Sequence, residues 1–338
     1  MCSWLTAGMR ISGWKRGSKY LVIGTVSAAF ILLGIAFIYG ATGSLDYSRL
    51  AEIVDTGGSR DPMLLPGLIL LLLGLGFKIS SIPFHSWAPD VYEGAPTPVV
   101  AFLSVGSKAA GFVLFQRLVF SVFLPIRSEW GLVLALVATF TLFFGNLGAI
   151  PQTNIKRLLG YSGIAQAGYL LLGLVSGSVN GGAAMLYYLT GYLFSNLLAF
   201  LVIILFRQVV TSHEITEYSG LARRSPLLAA SLLIAMLSLA GVPPLVGFFG
   251  KFLLVASIVE AGYWWLAVIA ILNVVVALFY YLKVGKTMYV DSPLSTDPIR
   301  LSISMKVLLY GCVTVIILLG LFQAPLYDSA RAAMTGLF

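Results

Sequence analysis

The chain has 338 residues, of which 59% are hydrophobic and only 10% charged, and its mean hydropathy is +0.96. Soluble domains carry about 25% charged residues, so this composition excludes a water-soluble surface and points to lipid as the solvent. The formal net charge of +8 does not indicate nucleic acid, because the basic residues scatter among loops with no basic stripe interleaved with aromatics.

A membrane-crossing helix needs about 20 mostly apolar residues. Residues 1–17, with Arg10, Lys15 and Arg16, are too short and too basic to span and read as an N-terminal stub without a cleavable signal. Nine candidate spans follow, at roughly 18–40, 64–84, 98–124, 129–150, 158–177, 180–206, 226–258, 262–283 and 305–323. Longer polar stretches separate them at 41–62, 207–225 and 284–304. With the N-terminus inside and alternating crossings, thirteen basic residues fall in inside loops and five outside. That bias supports both the count and the orientation.

The remaining three of the 21 basic residues, Lys78, Lys108 and Lys251, lie within the apolar spans. A charge at mid-membrane costs about 2.5–3.5 kcal/mol on insertion scales. Lys78 and Lys251 could partly snorkel, but Lys108 sits too deep for its ammonium to reach the headgroups. Two spans also carry helix breakers. One holds Pro83 in Ser80-Ser81-Ile82-Pro83, and the other holds Gly241-Val242-Pro243-Pro244. Each break lies within about ten residues of a lysine, and broken helices at matching places in two halves are the mark of inverted-repeat transporters. Cys2 and Cys312 stand at opposite ends, and His85 and His213 lack ligand spacing. Hence no haem, zinc or iron–sulfur site is expected, nor any nucleotide-binding loop.

The stretch Pro83-Phe84-His85-Ser86-Trp87-Ala88-Pro89-Asp90-Val91-Tyr92-Glu93-Gly94-Ala95-Pro96-Thr97-Pro98-Val99, followed by Ser107-Lys108, is distinctive. So are Gln152 through Ser162 and Gly241 through Lys251. Together they resemble the antiporter-like subunits of respiratory complex I, the proton-pumping NADH–quinone oxidoreductase, and among them subunit N. The resemblance implies an all-α integral membrane fold, the remnant of an inverted-repeat antiporter-like architecture. It divides the chain into the 1–17 stub, the remainder of a first repeat (18–124), a second repeat (129–288) and a C-terminal helix and tail (305–338).

It further implies a membrane-arm protein with no cofactor of its own, in which protons cross along buried lysines and water. NAD, FMN, iron–sulfur clusters and quinone would serve the whole complex through other subunits. Lys78, Lys108 and Lys251 match the family's relay lysines. Gln166 stands where some members carry a histidine, and His85 and Tyr161 are weaker candidates. Members have about fourteen helices, so the nine spans would be the sixth to fourteenth. The glutamate expected to pair with Lys78 would precede them, and the first glutamate in this sequence is Glu52. Expected partners are the other membrane-arm subunits and the lipid bilayer, with no nucleic acid, and the expected location is a bacterial plasma membrane. A subunit of a multi-subunit cation/proton antiporter and a structural scaffold of the membrane arm are the alternatives.

Overall fold

The computed structural model describes residues 2–56, 61–210, 212–295 and 297–336, and among them there is no strand, only helices and one isolated bridge between Asn154 and Glu214. The helices in chain order begin with α1 (Cys2–Thr42), the short amphipathic α2 (Tyr47–Asp55) and α3 (Leu64–Ile79). Next come α4 (Trp87–Gly94), α5 (Thr97–Phe102), α6 (Lys108–Ser121), α7 (Arg127–Ala149), α8 (Ile155–Ser176) and α9 (Val179–Phe206). The last group is α10 (Leu221–Arg224), α11 (Pro226–Ala240), α12 (Val246–Glu260), α13 (Trp264–Tyr289), α14 (Ile303–Leu321) and α15 (Ala324–Thr335). Seven are long and apolar enough, alone or with a continuation, to cross a membrane, and Leu64–Ile79 and Pro226–Ala240 are shorter apolar helices. Those two are the leading halves of the interrupted spans, so the described residues form nine apolar spans, two of them broken.

Both breaks close in the same way. At the end of α3, Ser80 takes the left-handed conformation (φ 62°), and the Ser81 N–H reaches back to Gly76 O at 2.9 Å. At the end of α11, Gly241 takes it (φ 90°), and the Val242 N–H reaches Leu237 O at 3.0 Å. This hydrogen-bond pattern terminates a helix cleanly, and the prolines that follow cannot donate to resume it. A third interruption carries no proline: a π turn at Leu103–Ser107 joins α5 to α6 and ends at Lys108.

Two expectations are corrected in detail, and a third is met. Residues 2–17 continue α1 and are not a separate stub. The 226–258 span is broken where expected, at Gly241 to Pro244, into α11 and α12. The tail after 323 forms a further helix, α15, which buries Ala330 and Met334.

At the centre stands α8, nearly every residue of which is buried. It packs against α4, α7, α9 and α12. Glycines permit the closest approaches: a Cβ at Gly145 of α7 would lie 2.3 Å from Ala165 N of α8. By contrast α7, α13 and α14 turn large apolar side chains outward, among them Phe140, Phe144, Val275, Phe279, Val307 and Leu308. An exposed apolar belt over a polar-bearing interior is the arrangement lipid demands.

Candidate functional site: two lysines joined through a central helix

Lys251 on α12 is 4% exposed. Its Nζ donates to Leu239 O (2.8 Å) and Ala240 O (3.0 Å) and lies 4.3 Å from the centre of the Tyr169 ring. Those two carbonyls belong to the last turn of α11, which the break at Gly241 leaves without helical donors. A cation at a helix C-terminus also meets the negative end of its dipole. The break therefore creates the site that holds the ammonium inside the apolar span.

Lys108 is 1% exposed. Its Nζ donates to Gly163 O of α8 at 2.6 Å and sits 5.5 Å from the centre of the Tyr192 ring. A Cβ at Gly163 would come within 3.1 Å of that Nζ, so the glycine leaves room for the contact. Tyr192 Oη donates to Ser104 O (3.0 Å), and Asn196 Nδ2 donates to Ser104 Oγ (2.6 Å). Both tie α9 to the π turn that positions Lys108. The turn frees backbone groups that an uninterrupted α-helix would consume, and such turns recur at functional sites.

Gln166 is fully buried on α8 and stands between the two lysines. Its Nε2 donates to Leu239 O (2.9 Å), the same oxygen that Lys251 uses, and to Tyr281 Oη (3.1 Å). Tyr188 Oη donates to its Oε1. Tyr281 Oη also pairs with Ser162 Oγ at 2.5 Å. Ser162 neighbours Gly163, so the polar networks of Lys251 and Lys108 end on consecutive residues of one helix. A side branch runs from Tyr280 Oη to Asn146 Oδ1 (3.0 Å) and from Asn146 Nδ2 to Asn273 Oδ1 (2.9 Å). Among the described residues no carboxylate lies within ion-pair distance of either lysine.

Lys78 departs from the expectation that all three lysines are buried. It lies in the last turn of α3 and is exposed. It precedes its break, whereas Lys251 follows its own. The Phe77 carbonyl accepts both the Ser80 N–H (3.1 Å) and the Trp87 indole N–H (3.1 Å). His85 is partly buried and packs on Phe144 (5.6 Å between rings), and its Nδ1 is buried with no hydrogen-bond partner among the described residues. Tyr161 is partly buried, packs beside Gly148 and carries the Arg157 guanidinium over its ring at 5.9 Å. Neither His85 nor Tyr161 joins the network around Gln166. Sequence reading missed Tyr188, Tyr192, Tyr281, Asn196 and Ser104.

The two other distinctive segments meet near the N-terminus of α8. Asp90 pairs with Lys19 (2.6 Å) and with Arg157 (2.9 Å), and Arg157 also pairs with Glu93 (2.8 Å). Lys156 donates to Ala95 O at 2.6 Å. Asn154 Oδ1 caps α8 by accepting from the Lys156 and Arg157 N–H groups. The loop at His213 closes on this end through Ile155 N to His213 O (2.9 Å). Burial, with the Lys156 and Arg207 cations nearby, pushes His213 down to about 4. Among the described residues no group of three or more His, Cys, Asp or Glu side chains comes together to hold a metal ion.

Two broken helices, one of them closing on the buried Lys251, packed around a buried central helix, define an antiporter-like multi-pass membrane protein. The same architecture occurs in the Mrp complex from Dietzia sp. (TM-score 0.88, 22% identity, covering 97% of this chain and 68% of that one), a likeness of fold alone. The chain belongs to the NADH:quinone oxidoreductase/Mrp antiporter transmembrane family, whose pattern it matches over residues 6–277. It is 46% identical over 325 residues to the NADH-quinone oxidoreductase subunit N of Moorella thermoacetica, covering 96% of this chain and 68% of that one. It is also similar to a chain of respiratory complex I from Thermus thermophilus with bound aureothin (TM-score 0.80, 36% identity, covering 94% of this chain and 69% of that chain). It thus spans about two thirds of the length of such relatives.

Proposed function

We propose that this chain acts in the membrane arm of an NADH–quinone oxidoreductase, beside the arm's other subunits in a bacterial plasma membrane, and carries protons between Lys251 and Lys108. The observation that carries this reading is the convergence of both lysine networks on Ser162, Gly163 and Gln166 of α8. A buried ammonium held only by carbonyls and a ring face has no counter-charge to fix its proton, so it loads and releases according to the field around it. Gln166 carries no proton itself but holds hydroxyls and the Leu239 carbonyl in line, and water entering beside Ser162 would complete the path. Moving one charge against 100 mV costs about 2.3 kcal/mol. The chain's relatives are named as subunits of an oxidoreductase, and electron transfer to quinone elsewhere in such a complex supplies that energy. On this reading Lys78 serves as an entry group and not as a buried relay.

The test is NADH-driven acidification of vesicles containing the assembled complex with Lys108→Ala. Normal pumping by an assembled variant would leave the chain a scaffold. Sodium-loaded vesicles that exchange sodium for protons without NADH would instead favour the autonomous antiporter suggested by the Mrp-like fold.

A further inference from the structure

At one end of the helix bundle lies an open cleft of about 480 Å³ lined by Arg224, Arg300 and Lys306, with no acidic side chain in its wall. It lies where α10 meets α11 and where α14 begins, so two helix N-termini border it. The N-terminus of α11 has no side-chain cap: Ser225 makes no capping bond, and Pro226 follows it. The N-terminus of α14 is satisfied by Ser302, which accepts from the Met305 N–H. Open N–H groups and a helix dipole favour an anion.

Arg224 supplies an independent sign. It is 7% exposed, and its Nε donates to Asp297 O at 3.1 Å. Arg224 lines the cleft, and its two terminal nitrogens have no hydrogen-bond partner among the described residues. The Asp297 carboxylate is turned to Ser295 (3.1 Å) and does not neutralise it. The cleft is also preformed, because the Ile299 N–H binds Arg224 O (3.1 Å) and ties the 297–300 segment to α10. A guanidinium with unpaired terminal nitrogens beside an open cleft offers the planar donor fork that a phosphate accepts.

We propose that this cleft binds the phosphate of an anionic phospholipid. The lipid source is indicated by what borders the cations: Ile303 (81% exposed) and Val307 begin the outward apolar face of α14, so acyl chains meet hydrocarbon-facing side chains while the phosphate meets Arg224, Arg300 and Lys306. Basic pockets between membrane helices at the headgroup level take such lipids. The site stands apart from the lysine network and does not depend on its role.

The experiment is native mass spectrometry of the delipidated full chain titrated with phosphatidylglycerol, phosphatidylcholine or inorganic phosphate. Arg300 and Lys306 are exposed, so Arg300→Gln with Lys306→Gln should fold normally. We expect selective retention of phosphatidylglycerol, with its affinity falling about thirty-fold in that double variant. Lys283→Gln with Lys286→Gln makes the same charge change on exposed positions of α13, outside the cleft, and should leave affinity within about twofold. Equal losses in the two double variants would reduce the effect to diffuse surface charge and overturn the site. Inorganic phosphate that displaces phosphatidylglycerol completely at millimolar concentration would overturn the lipid assignment. So would equal retention of phosphatidylcholine.

Discussion

Replacing Gln166 by glutamate places a carboxylate beside Lys251 with almost no change of shape. The Lys251 and Gln166 nitrogens bond the same Leu239 oxygen at 2.8 and 2.9 Å, so they are no more than about 5.7 Å apart, the sum of the two bonds. At an effective dielectric constant of about 20, opposite unit charges at that distance attract by about 3 kcal/mol. Gln166→Glu should therefore hold the Lys251 proton about a hundred-fold more tightly and slow its release in proportion. Gln166→Leu acts differently. It removes the acceptor of the Tyr188 hydroxyl and leaves that group buried, at a cost of about 1–3 kcal/mol in stability, without adding a charge. The assay is proton uptake per electron in vesicles containing the assembled complex, read with a pH-sensitive dye while NADH oxidation is followed in parallel. Gln166→Glu should lower both coupled turnover and the proton-to-electron ratio while the complex assembles fully. An assembled Gln166→Glu complex with wild-type turnover and ratio would refute the placement of Gln166 between the two relay groups.

Further expectations concern the scaffold. A Cβ at Gly247 would fall 1.7 Å from Ser238 O, so Gly247→Ala should force α12 away from α11 and sharply reduce the amount of folded protein recovered from membranes. Arg157→Gln should leave Asp90 with Lys19 alone and free Glu93 from its guanidinium partner. Because these groups are partly exposed, the loss should be about 1 kcal/mol and should shrink in high salt when thermal unfolding is measured. His213 is held at about 4 in the folded chain, against an ordinary value of 6.5. A folded value below the unfolded one means that its contribution is complete above 6.5 and is lost as pH falls toward 4. His213→Gln should flatten that part of the stability profile, and an unchanged profile would count against the burial described for the loop.

Much of the fold was legible because lipid imposes a coarse rule, about 20 apolar residues per crossing, and the chain obeys it. The breaks at Ile82-Pro83 and Gly241 to Pro244 were legible for an equally local reason, since proline and glycine announce themselves. The π turn before Lys108 was not, because Leu103–Ser107 contains no residue that forbids an α-helix. The continuation of α1 into residues 2–17 was hidden by basic residues that read as a polar stub.

For the site, a lysine in an apolar run shows that something unusual must hold it, but not what does. The acceptors proved to be the carbonyls of Leu239, Ala240 and Gly163, and every residue has a carbonyl. Lys78 and Lys251 looked alike in sequence, each near a break. They differ because Lys251 follows its break and reaches back to the freed carbonyls, whereas Lys78 precedes its break and is exposed, and the Phe77 carbonyl at that break is taken by the Ser80 and Trp87 N–H groups. Tyr188, Tyr192 and Tyr281 were overlooked because tyrosine counts as apolar in a hydropathy scan. Asn146, Asn196 and Asn273 were the better clue, since an amide in a membrane helix must find partners.

The central claim is that the buried ammonium of Lys251 carries protons and is not merely a structural cap on α11. Lys251→Met keeps the length and bulk of the side chain and removes only the charge and its donors to Leu239 O and Ala240 O. The decisive measurement is the proton-to-electron ratio of the assembled complex containing that variant, in sealed vesicles with NADH oxidation monitored alongside. The account predicts a lower ratio with electron transfer to quinone retained; an unchanged ratio at full assembly would contradict it.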